Sequence, residues 1–227
     1  MRKWRAITAF QKSLVTNYLY CICVALMLIF LVPNTGEGKS KDGFYIGVGV
    51  TNVSIGGDFD GDNFVSGGGS AEVFPKMEDA QGIKYILGFQ SNIGGIDLSY
   101  SRSEHDGNWA GIDMTSVFKS YDIDFHILLL KTTYIVRPRL TLGAGINRLT
   151  VEDGSTDGFS VDDAIFKGAA VRLGAGLELS LHERFAIDAM AIYRWGRYNK
   201  VEGIVEGDLD DIDGNGATYS AEVKFIF

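Results

Sequence analysis

Tyr219-Ser220-Ala221-Glu222-Val223-Lys224-Phe225-Ile226-Phe227 closes the 227-residue chain, and its two faces differ in kind. In an extended segment successive side chains point to opposite sides. Tyr219, Ala221, Val223, Phe225 and Phe227 share one side, and Ser220, Glu222 and Lys224 share the other. One side is apolar and ends on aromatic rings. The other carries both signs of charge. A soluble strand turns its apolar side to a core and its polar side to water. A strand in a membrane barrel turns its apolar side to lipid and its polar side inward.

Working back from this ending, the same period of two recurs seven times from Gly43 onward, with no helical periodicity of useful length. Phe44, Ile46, Val48 and Val50 oppose Tyr45, Gly47 and Gly49. Ile83, Tyr85, Leu87 and Phe89 oppose Gly82, Lys84 and Gly88. Ile96, Leu98 and Tyr100 oppose Asp97 and Ser99. Tyr121, Ile123, Phe125 and Ile127 oppose Asp122, Asp124 and His126. Leu140, Leu142, Ala144 and Ile146 oppose Thr141, Gly143 and Gly145. Val171, Leu173, Ala175 and Leu177 oppose Arg172, Gly174, Gly176 and Glu178. Phe185, Ile187, Ala189, Tyr193 and Trp195 oppose Asp188, Met190 and Arg194. The run Leu128-Leu129-Leu130 marks the fourth segment as the place for a bulge or slip. Composition agrees with an all-β chain: 29 glycines suit turns and crowded strand positions, and 3 prolines leave ladders intact.

The connections alternate in length. Short ones are expected at Ser91–Gly95, Val136–Arg139 and Leu181–Arg184. Long polar ones are expected at Ser54–Asp79, Arg102–Phe118, Glu152–Ala164 and Asn199–Gly216. Short turns on one rim and long loops on the other are the habit of outer-membrane barrels. Aromatic residues fall near both rims: Phe44, Tyr134, Phe185 and Phe227 on the short-turn side, and Tyr121, Trp195 and Tyr219 on the long-loop side. Such rings favour lipid–water interfaces. The expected fold is therefore an all-β, eight-stranded antiparallel up-and-down transmembrane barrel. A soluble sandwich with its charged face in water is the competing reading.

The N-terminus reads as an export signal. Arg2, Lys3, Arg5 and Lys12 precede the apolar run Tyr18–Val32, which Pro33 ends. Fifteen residues are short for a transmembrane helix, which needs roughly 20. A retained inner-membrane anchor or a lipoprotein signal at Cys21 are the alternatives. We expect a signal peptide over 1–38, cleaved after Gly36 or Gly38, and a barrel domain over 39–227. Both cysteines, Cys21 and Cys23, lie in the first segment, so no disulfide or cysteine metal site is expected beyond it. Residues 1–40 hold five Lys/Arg and one Asp/Glu. Removing them leaves 16 basic and 28 acidic residues, net −12 against −8 for the whole chain. Such a chain repels nucleic acid.

The opening Gly43-Phe44-Tyr45-Ile46-Gly47-Val48-Gly49-Val50, the repeats Leu142-Gly143-Ala144-Gly145-Ile146 and Leu173-Gly174-Ala175-Gly176-Leu177, and the ending Ala221–Phe227 resemble the small outer-membrane barrels of Gram-negative bacteria. That broad group includes the OmpA transmembrane domain and OmpW. The resemblance implies an outer-membrane location, in contact with membrane lipids and lipopolysaccharide. It also implies that Tyr219, Val223, Phe225 and Phe227 form the signal read by the barrel-assembly machinery. From OmpW it carries over a porin-like passage for small or apolar solutes as an alternative role. It fixes no oligomeric state.

Three constellations bear on chemistry. The polar face carries Asp97, Asp122, Asp124, Glu178, Asp188 and Glu222 with Lys84, Arg172, Arg194 and Lys224, and with His126 beside Asp124. An isolated buried charge is costly, and an eight-stranded interior is just filled by side chains. A charge network plugging the lumen is therefore expected, the alternative being a narrow ion path. Asp211-Ile212-Asp213-Gly214-Asn215-Gly216 with Glu222 matches the spacing of a calcium loop. Glu222 sits in a strand, so only Asp211, Asp213 and Asn215, and separately Asp58, Asp60 and Asp62, would offer weak Ca²⁺ ligands. No cofactor is expected. Finally, an acyl-chain enzyme would need an activated nucleophile. Ser101 and Ser103 lie near His105 in an expected loop without recognisable spacing. The reading is a non-enzymatic barrel with a structural or surface-interaction role.

Overall fold

The computed structural model describes residues 42–60, 63–65, 71–109, 112–130, 134–152, 164–202 and 212–227. The expected signal segment, Asp62 and Asp211 lie outside these residues.

Eight long strands form the barrel: β1 (Gly43–Val53), β2 (Ala80–Gln90), β3 (Gly94–Trp109), β4 (Ile112–Leu128), β5 (Val136–Glu152), β6 (Ala164–His182), β7 (Phe185–Glu202) and β8 (Gly216–Ile226). Each pairs antiparallel with its neighbour in sequence. The ring closes where β1 pairs with β8, Val48 standing opposite Val223 and Tyr45 opposite Ile226. Closure leaves neither edge free, which hydrocarbon demands because it offers backbone groups no partner.

The face that meets the outside is apolar. Phe44 is 65%, Leu142 57%, Phe125 61% and Tyr219 60% exposed, while Asp188, Lys224, Arg137 and Glu178 are wholly buried. This polarity is that of a membrane barrel and the inverse of a soluble one.

Two expected connections are corrected. Arg102–Phe118 is not a long loop: β3 runs on to Trp109 and β4 resumes at Ile112, paired throughout. Val136–Arg139 is not a turn but the start of β5, with Arg137 opposite Glu178. The run of leucines makes no bulge. The fourth barrel strand ends at Leu128, and Leu129 and Leu130 lie exposed beyond it. Register shifts occur instead between β6 and β7, at Phe185/Ala186 and Tyr198/Lys200.

The strands are unequal. β1, β2 and β8 have 11 residues each, whereas β3 to β7 have 16 to 19. A tilted strand crosses a bilayer with about 9–11 residues. The five long strands therefore continue past the membrane as a wall on one side of the outer mouth. Along this wall the polarity reverses, since its outer surface meets water. Asp113 and Thr115 face outward and are exposed, while Met114, Phe118, Leu149, Val151, Ala164 and Phe166 turn inward and are buried.

Candidate functional site

The barrel interior contains three layers. Nearest the short turns, Arg139 on β5 donates to Asp97 on β3 and to Asp188 on β7. Lys224 on β8 reaches Asp188 at 2.5 Å and Glu178 on β6 at 3.5 Å. Glu178 also accepts from Arg137, and from Gln90 Nε2 at 3.3 Å. Lys84 pairs with Glu222 at 2.6 Å. The Tyr45 hydroxyl donates to Asp97, and the Lys224 ammonium sits 4.7 Å above the Tyr45 ring. His126 Nδ1 lies 3.4 Å from Asp97. Most of these bonds join different strands across the lumen, so they tie the wall to itself.

In the middle layer Arg172 pairs with Asp122, and its guanidinium lies 3.3 Å from Asp124. Ser120 donates to Asp122 at 2.8 Å and lies 2.8 Å from Ser101. The Leu142-Gly143-Ala144-Gly145 repeat has a steric reason. A Cβ at Gly143 or Gly145 would lie 2.0 Å from the carboxylate oxygens of Asp124 and Asp122. The glycines leave room for the acids beside them. Arg194 caps this layer, its guanidinium 4.8 Å over the Phe118 ring.

The outer layer is apolar. Ile55, Phe59, Phe74 and Met77, from the segment between β1 and β2, pack with Phe118, Leu149, Phe166, Tyr198 and Ile212. Phe59 is its centre, with ring centroids 5.3 Å from both Phe166 and Tyr198. A short 3₁₀ turn, Gly57–Phe59, drives it into the mouth. Gly57 permits the turn: its φ is +78°, and a Cβ there would stand 2.6 Å from the Asp213 carbonyl oxygen.

All eleven ionisable lumen residues read from the sequence are buried among these layers. Sequence reading missed Arg137 and Arg139, assigned to a turn, and Tyr45, which looked like one more alternating residue. With the two arginines included, the buried charges among the described residues are six acids and six Lys/Arg. The signal was available: Arg137 and Arg139 continue the inward parity of Thr141 and Gly143. Of the aromatic ending, Tyr219, Val223 and Phe227 are exposed outward and Phe225 is half-buried.

The acidic loops come together in part. Asp58 Oδ2 accepts from the Asp213 backbone N–H at 2.8 Å, and the Gly56 N–H donates to the Asn215 carbonyl at 2.7 Å. Asp213 faces Arg197 at 3.8 Å, and Asp60 bridges in the strand sense to Lys76. Among the described residues no three His, Cys, Asp or Glu side chains are grouped to hold a metal. Glu222, the twelfth position of the calcium-like spacing, is engaged by Lys84 in the lumen. Ser103 and His105 lie on β3 and not in a loop. Ser103 Oγ is 2.8 Å from His105 Nε2, and His105 Nδ1 is 2.9 Å from the Glu78 carbonyl. Both side chains are sealed inside, 2% and 0% exposed.

A closed eight-stranded ring, apolar without and charged within, defines a transmembrane barrel of the outer-membrane type. The chain belongs to the outer membrane protein β-barrel domain family, whose model matches residues 22–227. Its location is the outer membrane. Among solved structures it is similar to Neisserial surface protein A, with a TM-score of 0.56 at 14% identity over 81% of this chain and 97% of that one. It is also similar to the outer membrane protein OprG from Pseudomonas aeruginosa, with a TM-score of 0.56 at 16% identity over 85% and 99%. Both likenesses concern the fold. No curated protein matches the sequence.

Proposed function

We propose that this barrel is a closed, non-enzymatic membrane anchor for an outward-facing surface, and that it conducts no solutes. The observation that carries the reading is what fills the interior. The largest wholly buried side chains include Arg137, Tyr45 and Lys224 toward the turns, Arg172 in the middle layer, and Phe59, Phe118 and Tyr198 toward the mouth. An ion entering from outside would meet an apolar stopper, where an unpaired charge is strongly disfavoured. One entering from the turns would have to break several charge-assisted bonds. The Ser103–His105 pair favours no catalysis, because a nucleophile needs access to its substrate. What projects beyond the membrane is a wall of paired strands with connections acidic in sequence, suited to contact with other surface components.

The test is single-channel recording of the purified protein in planar bilayers. No steady unitary current is expected at moderate voltage. Reproducible steps would replace this reading with that of a narrow channel.

A further inference from the structure

The register of β3 to β6 aligns four outward cations that a sequence reading cannot bring together. Arg102 stands opposite Lys119, Lys119 opposite Arg148, and Arg148 opposite Lys167. On each of these strands the cation is the first charged outward residue beyond the apolar belt. It follows Tyr100 on β3, Tyr121 on β4, Ile146 on β5 and Ala169 on β6. On β7 Arg197 takes the same place after Trp195. This occurs in a chain of net charge −8. Neighbouring strands are about 4.8 Å apart, so the row of four spans roughly 14 Å.

Like charges directly opposite one another across strands are destabilising. Two members of the row have acids nearby: Arg102 meets Glu104 at 2.6 Å and Lys167 meets Glu202 at 2.5 Å. Lys119 and Arg148, at the centre, face each other and form no ion pair with another described residue. Among the described residues nothing neutralises this centre, and an added anion would relieve the repulsion.

Directly below, on the lipid side, lies a groove of about 750 Å³. Tyr85, Leu98, Tyr100, Tyr121 and Ile146 are among the residues that line it, and Ala144 supplies a small side chain. The three tyrosines form a continuous row, Tyr85 to Tyr100 at 6.5 Å and Tyr100 to Tyr121 at 5.0 Å between centroids. Two residues along a strand span about 6.6 Å. The cations therefore sit one headgroup's depth above an apolar trough open to the acyl layer. We infer that this face binds a phosphorylated lipid of the outer leaflet, with phosphates on Arg102, Lys119 and Arg148 and an acyl chain in the groove. Charge complementarity selects the headgroup, and the trough beneath selects a lipid over a soluble phosphate. The inference does not depend on whether the lumen conducts.

The experiment reconstitutes the protein in phosphatidylcholine nanodiscs and titrates lipopolysaccharide against the same lipid stripped of its phosphates. The intact protein is expected to bind the phosphorylated form at least about tenfold more tightly, a preference that shrinks with added salt. A variant carrying R102Q, K119Q and R148Q should lose that preference, whereas R184Q on the opposite rim should keep it. Ala144→Trp, which fills the trough, should weaken both lipids. Heat-modifiable gel migration establishes that each variant is folded. Equal affinity of the intact protein for the two lipids would overturn the inference without reference to any variant. So would a folded triple variant that retains the preference.

Discussion

The ring of Tyr45 occupies the space that a side chain at Gly88 would need: a Cβ built on Gly88 would lie 2.3 Å from Tyr45 Cζ. Tyr45 is wholly buried, with its hydroxyl on Asp97 and its face under Lys224. It has little room to retreat. Gly88→Ala is expected to cost about 1–3 kcal/mol, the usual range for overpacking. In a Tyr45→Ala background the same change should cost much less. Urea unfolding of the barrel in vesicles measures both, and equal costs in the two backgrounds would show that the residues do not compete for space.

Arg139 should be the costliest single loss in the turn-side layer. It serves Asp97 and Asp188 together, and its removal leaves Asp188 with Lys224 and Asp97 with the Tyr45 hydroxyl and His126. Breaking one side of a buried pair costs about 3–5 kcal/mol. Arg139→Met should fall in or above that range, and adding Asp188→Asn should recover part of it. A loss below about 1 kcal/mol for Arg139→Met would mean that the network is hydrated and weak.

Phe59 should hold the mouth together. It is wholly buried between Phe74, Phe166 and Tyr198. Phe59→Ala is expected to cost about 3–5 kcal/mol in the outer wall. It should also raise amide exchange in Gly57–Phe59 and around Phe166, leaving β1 and β8 near Val48 and Val223 protected. Uniform loss of protection around the ring would contradict a separate outer layer.

The mouth should also loosen in acid. His105 lies beyond the apolar belt, where burial holds its imidazole below the usual range. The Glu78 carbonyl and the Asp79 and Asp106 carboxylates oppose that shift without reversing it. A group with a depressed folded pKa prefers the unfolded state once protonated. His105 therefore contributes fully above its unfolded value of about 6.5, and the contribution declines as pH falls below it. The temperature of heat-modified migration should drop between pH 7.5 and 5. His105→Gln should flatten that drop, and an unchanged slope would remove His105 from the account.

Much of the barrel was legible in the chain because period two is strict where one face meets lipid. Val171 to Leu177 and Phe185 to Trp195 show it without interruption. The legible part stops where the environment changes. Beyond Arg102 and before Phe118 the outside is water, so polar residues face outward and the segment looks like a loop, although its described residues are paired up to Trp109 and Ile112. Arg137 and Arg139 were missed for a related reason. They fall in Val136–Arg139, read as a short connection, yet Pro138 between them faces outward, with Arg137 and Arg139 buried on either side. The outer stopper was not legible at all. Phe59 and Phe74 are isolated aromatics in polar surroundings, and only the fold brings them to Phe166 and Tyr198. The cation row likewise depends on register, which the spacing of single residues does not reveal.

The account depends most on which face of each strand meets which medium, and on the closure of the lumen. Single cysteines, introduced in a background lacking Cys21 and Cys23, test both through their reaction with a small charged thiol reagent and with a lipid-soluble one. Cysteines at Ala144, Ala175 and Ala191, which face outward, should react only with the lipid-soluble reagent. Those at Ser99, Ser120 and Ser220, which are buried in the interior, should resist the charged reagent from either side of the membrane. Rapid charged labelling at Ser99 and Ser120 would mean an open aqueous path, and charged labelling at Ala144 and Ala175 would mean that the barrel faces had been assigned the wrong way round.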